Sequence, residues 1–380
     1  MRKYIYIFII SLLCCSCVDE FDAKLSSSDT NILCIEGTIR NSANCTFFLS
    51  HSVPLDTEYV PLSSVQISDA EITVKGSDGQ SWDGHLTEAG TYEVSVGQLS
   101  ASEQYWIEVI WNGNTYASDP QAPLATPEIQ ELSWELSNDG NYVNFLVTPA
   151  SSSSDGQYYR WTFEETWEIH TPLKAAFEYV PAKDTIIRTV NFLNVGWVED
   201  KTNVPTIGSN ANYANGQIRN FMVYQLDKNA DRFNYRYYTK VFQTAITQAE
   251  YEYETLSAQL SDEMGGLFTP QPSALPTNIS CQTADVQVIG YIGVSLNSTS
   301  AGVYANRADV NHVDQREIVI ADDELVASIG WYGLWVQGWR VYEYHEELEP
   351  PVSWTARWCV DCTDPSWGAS LIRPDFWEDK

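Results

Sequence analysis

The stretch "YYRWTFEETWEIH", residues 158–170, decides the fold. Tyr159, Trp161, Phe163, Glu165, Trp167 and Ile169 recur at every second position, and Arg160, Thr162, Glu164, Thr166 and Glu168 fill the places between. A period of two belongs to a β-strand, whose successive side chains point to opposite faces. Aromatic and β-branched residues favour that conformation. The aromatic row is therefore expected on a core and the polar row in water. Glu165 is the exception among the aromatics. A carboxylate there needs a partner, or its pKa rises. No second candidate catalytic residue accompanies it, so an edge position or a hydrogen-bonded structural acid is the expected role, ahead of a site acid.

The same alternation recurs on both sides of this stretch. "NILCIEGTIR" and "CTFFLS" read as a hairpin about Asn41 to Asn44. In "YWIEVIW", Tyr105, Ile107, Val109 and Trp111 make one wholly apolar face. "ISDAEITVKGSDG" followed by "EAGTYEV" resembles the transthyretin-like modules of carboxypeptidase regulatory domains. "PLATPEI" (123–129) reads as a joint, because its two prolines stop a strand from continuing. One helix is expected near 235–263. Tyr238, Phe242, Ala245, Ala249, Tyr253, Leu256 and Leu260 form a stripe spaced by three or four, with Asn234 to cap it and Gly265-Gly266 to end it. The chain is thus predicted to be all-β, with two β-sandwich (Ig-like or transthyretin-like) domains. The first spans 30–123; the second, larger one spans 124–380 and carries the long helix.

"SLLCCSCVDEFD" (11–22) supplies an address. Arg2 and Lys3 precede an apolar run from Tyr4 to Leu13, the layout of a signal peptide and too short to span a bilayer. Cys17 follows the small Ser16 and resembles the cysteine of a bacterial lipobox, with Cys15 and Cys14 as fallbacks. Residues 1–16 are the expected lipoprotein signal peptide and 17–29 a lipidated, flexible tether. One fatty-acyl chain such as palmitate holds only marginally, at about 0.8 kcal/mol per buried methylene, and two or three make a stable anchor. Asp19, Glu20 and Asp22 behind Cys17 resemble the signal that sends lipoproteins to the outer face of the outer membrane.

Charge and composition narrow the function classes. The 380 residues carry 51 acids against 21 Lys and Arg, a formal net charge of −30. Such a surface repels phosphate backbones, so nucleic acid is not an expected partner. Five cysteines follow Cys17, and an oxidised pair is expected among Cys281, Cys359 and Cys362. Seven of the 14 tryptophans lie between 331 and 377. Most of these are expected in a core. Trp331, Trp335, Trp339 and Trp354 are the candidate contacts for a ligand or partner, since exposed indoles stack on sugars and anchor protein interfaces.

Several longer strings occur together and in order: "YYRWTFEETWE", "FMVYQLDKNADRFNYRYYTKV", "MGGLFTPQPSALPTNISC", "VQVIGYIGVS", and a tail with "CVDC" and "RPDFW". In these the chain resembles the Bacteroidota outer-membrane lipoprotein family known as domain of unknown function 4249. The likeness runs over nearly the whole mature chain, although "PTNIS" (276–280) lacks the glycine expected before Asn278. The resemblance implies an outer-membrane lipoprotein working beside a TonB-dependent transporter. It supplies no reaction and no catalytic residue.

Motifs for chemistry are sparse. There is no Gly-x-Ser-x-Gly, no P-loop and no Gly-x-Gly-x-x-Gly. "HEELE" (345–349) lacks the second histidine of a zincin, and "DVNHVD" (309–314) lacks the spacing of a calcium loop. "DTI" (184–186) matches a short glycosylation sequon. No catalytic residue, metal or cofactor is expected. The expected function is that of a surface-exposed accessory or cargo-capture lipoprotein for a TonB-dependent transporter. A glycan- or surface-binding adhesin is the alternative, and an unrecognised hydrolase comes last.

Overall fold

Residues 33–118 run through seven strands: β1 (Leu33–Arg40), β2 (Ser42–His51), β3 (Glu71–Gly76), β4 (Ser81–Glu88), β5 (Thr91–Val96), β6 (Tyr105–Trp111) and β7 (Asn114–Ser118). The computed structural model describes residues 32–53, 60–150, 158–202, 204–213, 216–262, 275–344 and 351–378. β1 and β2 form the expected hairpin, with Leu33 opposite His51 and Gly37 opposite Phe47. Tyr105, Ile107, Val109 and Trp111 of β6 are buried together, as their alternation predicts.

The chain then continues through β8 (Ile129–Leu136), β9 (Tyr142–Pro149), β10 (Tyr158–His170), β11 (Phe177–Val180), β12 (Thr185–Arg188), β13 (Val195–Lys201), β14 (Thr206–Ser209), β15 (Phe221–Asp227) and β16 (Arg236–Ile246). A helix, α1, spans Gln248–Asp262. β17 (Ile279–Cys281), β18 (Val288–Ser295) and β19 (Thr299–Asn306) come next, then a helical segment α2 (Asp323–Val336) broken by a kink at Gly330 (φ 67°), β20 (Trp339–Tyr344) and β21 (Val352–Ala356). The fold is all-β with few helices.

The expected boundary at 123/124 does not hold. β17 and β18 return to the first sheet, whose order is β17-β7-β6-β3-β4-β5-β2-β1-β18. β18 lies parallel to β1, with Leu33 opposite Val288 and Arg40 opposite Ser295. The physical reason is the open edge of β1, whose backbone groups need partners. Asn278 then joins the two ends of the sheet. Its Nδ2 donates to Ile292 O at 2.9 Å, and its Oδ1 accepts the Ile292 amide at 3.0 Å. Ile279, Val288, Ile292 and Val294 complete one core with β1–β7. The proline joint is accordingly double. Leu124 bridges Ser295, and Thr126 takes Asn297 through both its amide and its hydroxyl.

β13, β10, β16 and β19 make a second sheet, with β14 also on β10, and β15-β9-β8 make a third. Val143, Phe145 and Val147 of β9 pack against Trp161, Trp167, Tyr237 and Val241 of β10 and β16. In β10, Tyr159, Trp161, Trp167 and Ile169 are buried as read, and Glu165 with them. Arg232 grips Glu165 with Nε at 3.1 Å and Nη2 at 3.2 Å, and the Tyr237 hydroxyl donates to it at 2.6 Å. Glu165 is therefore the hydrogen-bonded structural acid.

The helical stripe read from Tyr238 to Leu260 divides in two. Residues 236–246 are β16, with Tyr237, Thr239, Val241, Gln243 and Ala245 buried at every second position. Pairing with β10 on one side and β19 on the other overrides the local spacing. Asn234 caps no α-helix; its Oδ1 accepts the His170 amide at 2.7 Å. Gly265 and Gly266 lie outside the described residues. In α1, Ala249 is exposed while Glu250 and Tyr253 are buried. Arg160 of β10 meets this helix, with Nη1 at 3.2 Å from Glu254 and 3.3 Å from Glu250. Its Nη2 donates to Thr38 Oγ1 of β1 at 2.7 Å. Burial pushes the Glu250 carboxyl up to about 7, against the pull of Arg160. A Cβ at Gly293 would stand 2.5 Å from Glu250 Oε1, so glycine in β18 makes room for this acid.

Candidate functional site

The four candidate tryptophans come together. β11, β12, α2, β20 and β21 share a core of their own, made by Tyr179, Val326, Leu334, Val341, Val352 and Trp354, with Trp331, Trp335 and Trp339 packed against it. α2 starts where Asp322 Oδ1 accepts the Leu325 amide at 2.8 Å. It ends with Gly338 at φ 92°, whose amide bonds Trp335 O. The spacing of four from Trp331 to Trp335 is thus helical, whereas the same spacing from Trp335 to Trp339 crosses the helix end into β20. That change of period inside one short stretch hid α2 from the sequence reading. The acids Asp322, Asp323 and Glu324 ahead of Leu325 and Val326 were the available signal.

Trp354 is fully buried, so it is a core residue and not a contact. Its Nε1 has no hydrogen-bond partner among the described residues. Trp331 stands edge-on to Tyr179, with ring centroids 6.3 Å apart. The Tyr179 hydroxyl donates to Asp184 at 2.7 Å, and that carboxylate pushes the phenol up to about 12. Trp335 and Trp339 are half-buried and line an open cleft of about 660 Å3 with Arg340, Arg357 and Asp364. A smaller cavity of about 140 Å3 lies behind it, bounded by Phe177, Tyr179, Asn191 and Trp354. Trp335 and Arg340 line both spaces.

Arg340 forms the throat between them. Its Nη1 donates to Trp339 O at 2.8 Å and Trp335 O at 3.2 Å, and its guanidinium lies 5.9 Å from the Trp335 ring centroid. Burial, and then the neighbouring Arg357, hold its pKa below the usual arginine value. Of the nearby acids, Asp361 is taken by Arg357 and Asp364 stands farther off. Asp361 accepts Arg357 Nε at 2.7 Å and the Thr363 hydroxyl at 2.6 Å, and Asp364 lies 4.0 Å from Arg357. Burial works against the Asp361 charge, but those hydrogen bonds win and hold its pKa below the ordinary value. Arg340, missed in the sequence reading, is the cation that this site leaves without an ion-pair partner among the described residues. A cation directly after a tryptophan in so acidic a chain was the signal for it.

Other sequence candidates are placed elsewhere. The disulfide expected among Cys281, Cys359 and Cys362 is not formed, and all three are free thiols. Cys281 sits against the core of the first sheet, whereas Cys362 packs with Trp167 and Trp367 in another. Burial pushes the Cys362 thiol up to about 11, which leaves it protonated and unreactive. In "DVNHVD", Asp309 accepts the Asn306 amide at 2.6 Å and His312 Nδ1 donates to Lys228 O at 3.0 Å. Among the described residues no group of three His, Cys, Asp or Glu could hold a metal. His312 does line a cavity of about 630 Å3, where Arg236 and Arg307 face Glu168 and Glu378. Cys17 with its acids, and "HEELE", lie outside the described residues.

Comparison with known proteins locates the chain. No curated protein matches it. Among solved structures it is similar to the FN1–FN3 domains of chicken CNTN1, at 11% identity and a TM-score of 0.19, over 57% of this chain and 63% of that one. It is also similar to the Yersinia pseudotuberculosis adhesin InvE, at 14% identity and a TM-score of 0.16, over 58% of each chain. The chain therefore spans less than two thirds of either structure. A family model matches residues 18–301, ending before α2, β20 and β21, and on that match the chain belongs to the family described as Domain of unknown function (DUF4249).

Proposed function

We propose that this protein is a surface-exposed outer-membrane lipoprotein, anchored through acylated Cys17, that serves without catalysis as an accessory or cargo-capture partner of a TonB-dependent transporter. The observation that carries this reading is the apolar surface of the tryptophan module. Tyr332 and Val336 of α2 are 61% and 59% exposed. Ile187, Val190 and Phe192 are exposed in and after β12, beside Asn191 and Leu193 of the inner cavity. Exposed apolar residues gathered on one module mark an interaction surface better than singly scattered ones do. A tether of about a dozen residues spans at most some 40 Å, so such a surface stays within reach of a membrane barrel. Mild-detergent affinity purification of the tagged, lipidated protein tests the reading. Recovery of a barrel protein in near-equal amount supports it, and recovery of the chain alone counts against it. Cys17→Ala should abolish labelling by a fatty-acid probe and release the protein from membranes.

One observation favours a second reading. Trp335 and Trp339 are half-exposed beside the polar Gln337 and Arg340, an arrangement on which a sugar ring can stack. Binding of a neutral oligosaccharide to the isolated protein, together with failure to recover a barrel, would select the adhesin.

A further inference from the structure

We propose that the throat at Arg340 is a binding site for a small organic acid, with the carboxylate at the guanidinium and an apolar or aromatic body against Trp335 and Trp339. The inference deepens the capture reading, because it names the chemical class of the cargo. It starts from the unused donors of one side chain. Arg340 is half-buried and forms no ion pair among the described residues; Asp361 is bound closely by Arg357, and Asp361 and Asp364 favour the Arg340 charge only from a distance. Its Nη1 is used on two main-chain carbonyls, which fixes the guanidinium in place. Neither Nε nor Nη2 has a hydrogen-bond partner among the described residues. A partly desolvated cation of this kind is stabilised by an anion, and the planar fork of arginine matches a carboxylate.

The surroundings select the rest of the ligand. The outer cleft of about 660 Å3 is lined by Trp335, Val336 and Trp339 together with Gln337, Arg357 and Asp364, so the apolar body next to the carboxylate meets indole and methyl groups on the side of Trp335, Val336 and Trp339. Glu178 is the remaining acid on the inner cavity; it is exposed, and its charge stays in water. In a chain of net charge −30, a small acid would not be drawn to the surface at large, so its affinity must come from this local cation.

The test uses the isolated mature protein, with benzoate and benzamide as probes, by titration calorimetry at low salt. The two share a ring and differ in charge. Benzoate is expected to bind at least tenfold more tightly than benzamide. Arg340→Gln should weaken benzoate by tenfold or more and leave benzamide unchanged. Arg340→Lys should fall between, since an ammonium cannot form the fork. If Arg340→Gln does not fold, by near-ultraviolet circular dichroism, Trp339→Leu serves instead and should weaken both probes together. Equal affinity for benzoate and benzamide, or no benzoate binding at millimolar concentration, overturns the proposal. So does undiminished benzoate binding in a folded Arg340→Gln. Benzoate binding without a co-purified barrel would sink transporter docking and leave this site standing; a barrel without benzoate binding would do the reverse.

Discussion

Trp111 in the nine-stranded sheet and Trp354 in the tryptophan module are both buried, yet their indole nitrogens fare differently. Trp111 Nε1 donates to Asp69 at 3.2 Å, whereas Trp354 Nε1 has no partner among the described residues. The contrast extends to the regions around them. In the nine-stranded sheet the Asn278 side chain, next to β17, pairs with both backbone groups of Ile292 in β18. Among the described residues the module keeps a guanidinium with no ion-pair partner, an indole nitrogen with no hydrogen bond, and two cavities. Buried polar groups without partners cost stability. A region that tolerates them is a better place to look for binding than one that does not.

Gly290→Ala would break the first half of this contrast, and its effect should be the largest. Gly290 has φ 126°, and a Cβ there would fall 1.8 Å from Ile35 O of β1. A loss of roughly 5 kcal/mol, the top of the range for point changes, is expected. The variant should show no cooperative urea transition, and a wild-type midpoint would mean that the β1–β18 pairing does not hold the sandwich shut. Trp354→Ala should cost about 4 kcal/mol, and its damage should stay local. Amides of α2, β20 and β21 should lose protection from hydrogen exchange while those of β1–β7 keep theirs. Equal losses in both regions would erase the distinction between them.

The joint between the sheets offers a pH test of intermediate size. The Glu250 carboxyl is raised from 4.5 to about 7 in the fold. Between those values the unfolded chain releases this proton and the folded chain keeps it. The contribution is therefore fully present below pH 4.5 and lost as pH rises to about 7, on the order of 3 kcal/mol. Urea midpoints measured across that window should fall more steeply for the wild type than for Glu250→Gln. Parallel curves would show that Arg160 already offsets the burial of Glu250. The smallest expected effect on stability is that of Val190→Ser. Val190 is 84% exposed, so the change should stay within about 0.5 kcal/mol, yet it should reduce recovery of the barrel partner. Unchanged recovery would move the docking surface away from the module.

Much of the sheet content was legible because burial on one face leaves a period of two. β6 and β10 show this, and the partnered Glu165 followed from the cost of an isolated buried carboxylate. β16 misled for a physical reason. Tyr238, Phe242 and Ala245 fall at helical spacing, while Thr239 and Gln243 put polar residues on the buried face of a strand. Gln243 is accommodated there because Trp161 Nε1 donates to it at 3.0 Å and its own Nε2 donates to Pro127 O at 2.9 Å. No local pattern announces partners that distant. The candidate site was half legible. Its tryptophans stood out by their density, but Arg340 gained meaning only when Arg357 was seen to occupy Asp361.

Alternation, turn residues and composition are local or summed properties, and from them follow the all-β class and the β1–β2 hairpin. Which strand closes the first sheet is not such a property. β18 joins β1 across some two hundred and fifty residues of chain, by backbone pairing whose need for glycine at Gly290 names no partner strand. The throat is assembled in the same way, from residues near 173–193 hydrogen-bonded to residues near 342–362, such as Leu173 to Cys359 and Cys362 to Leu193. Side-chain periodicity records which face of an element is buried, and it carries no record of which distant element does the burying.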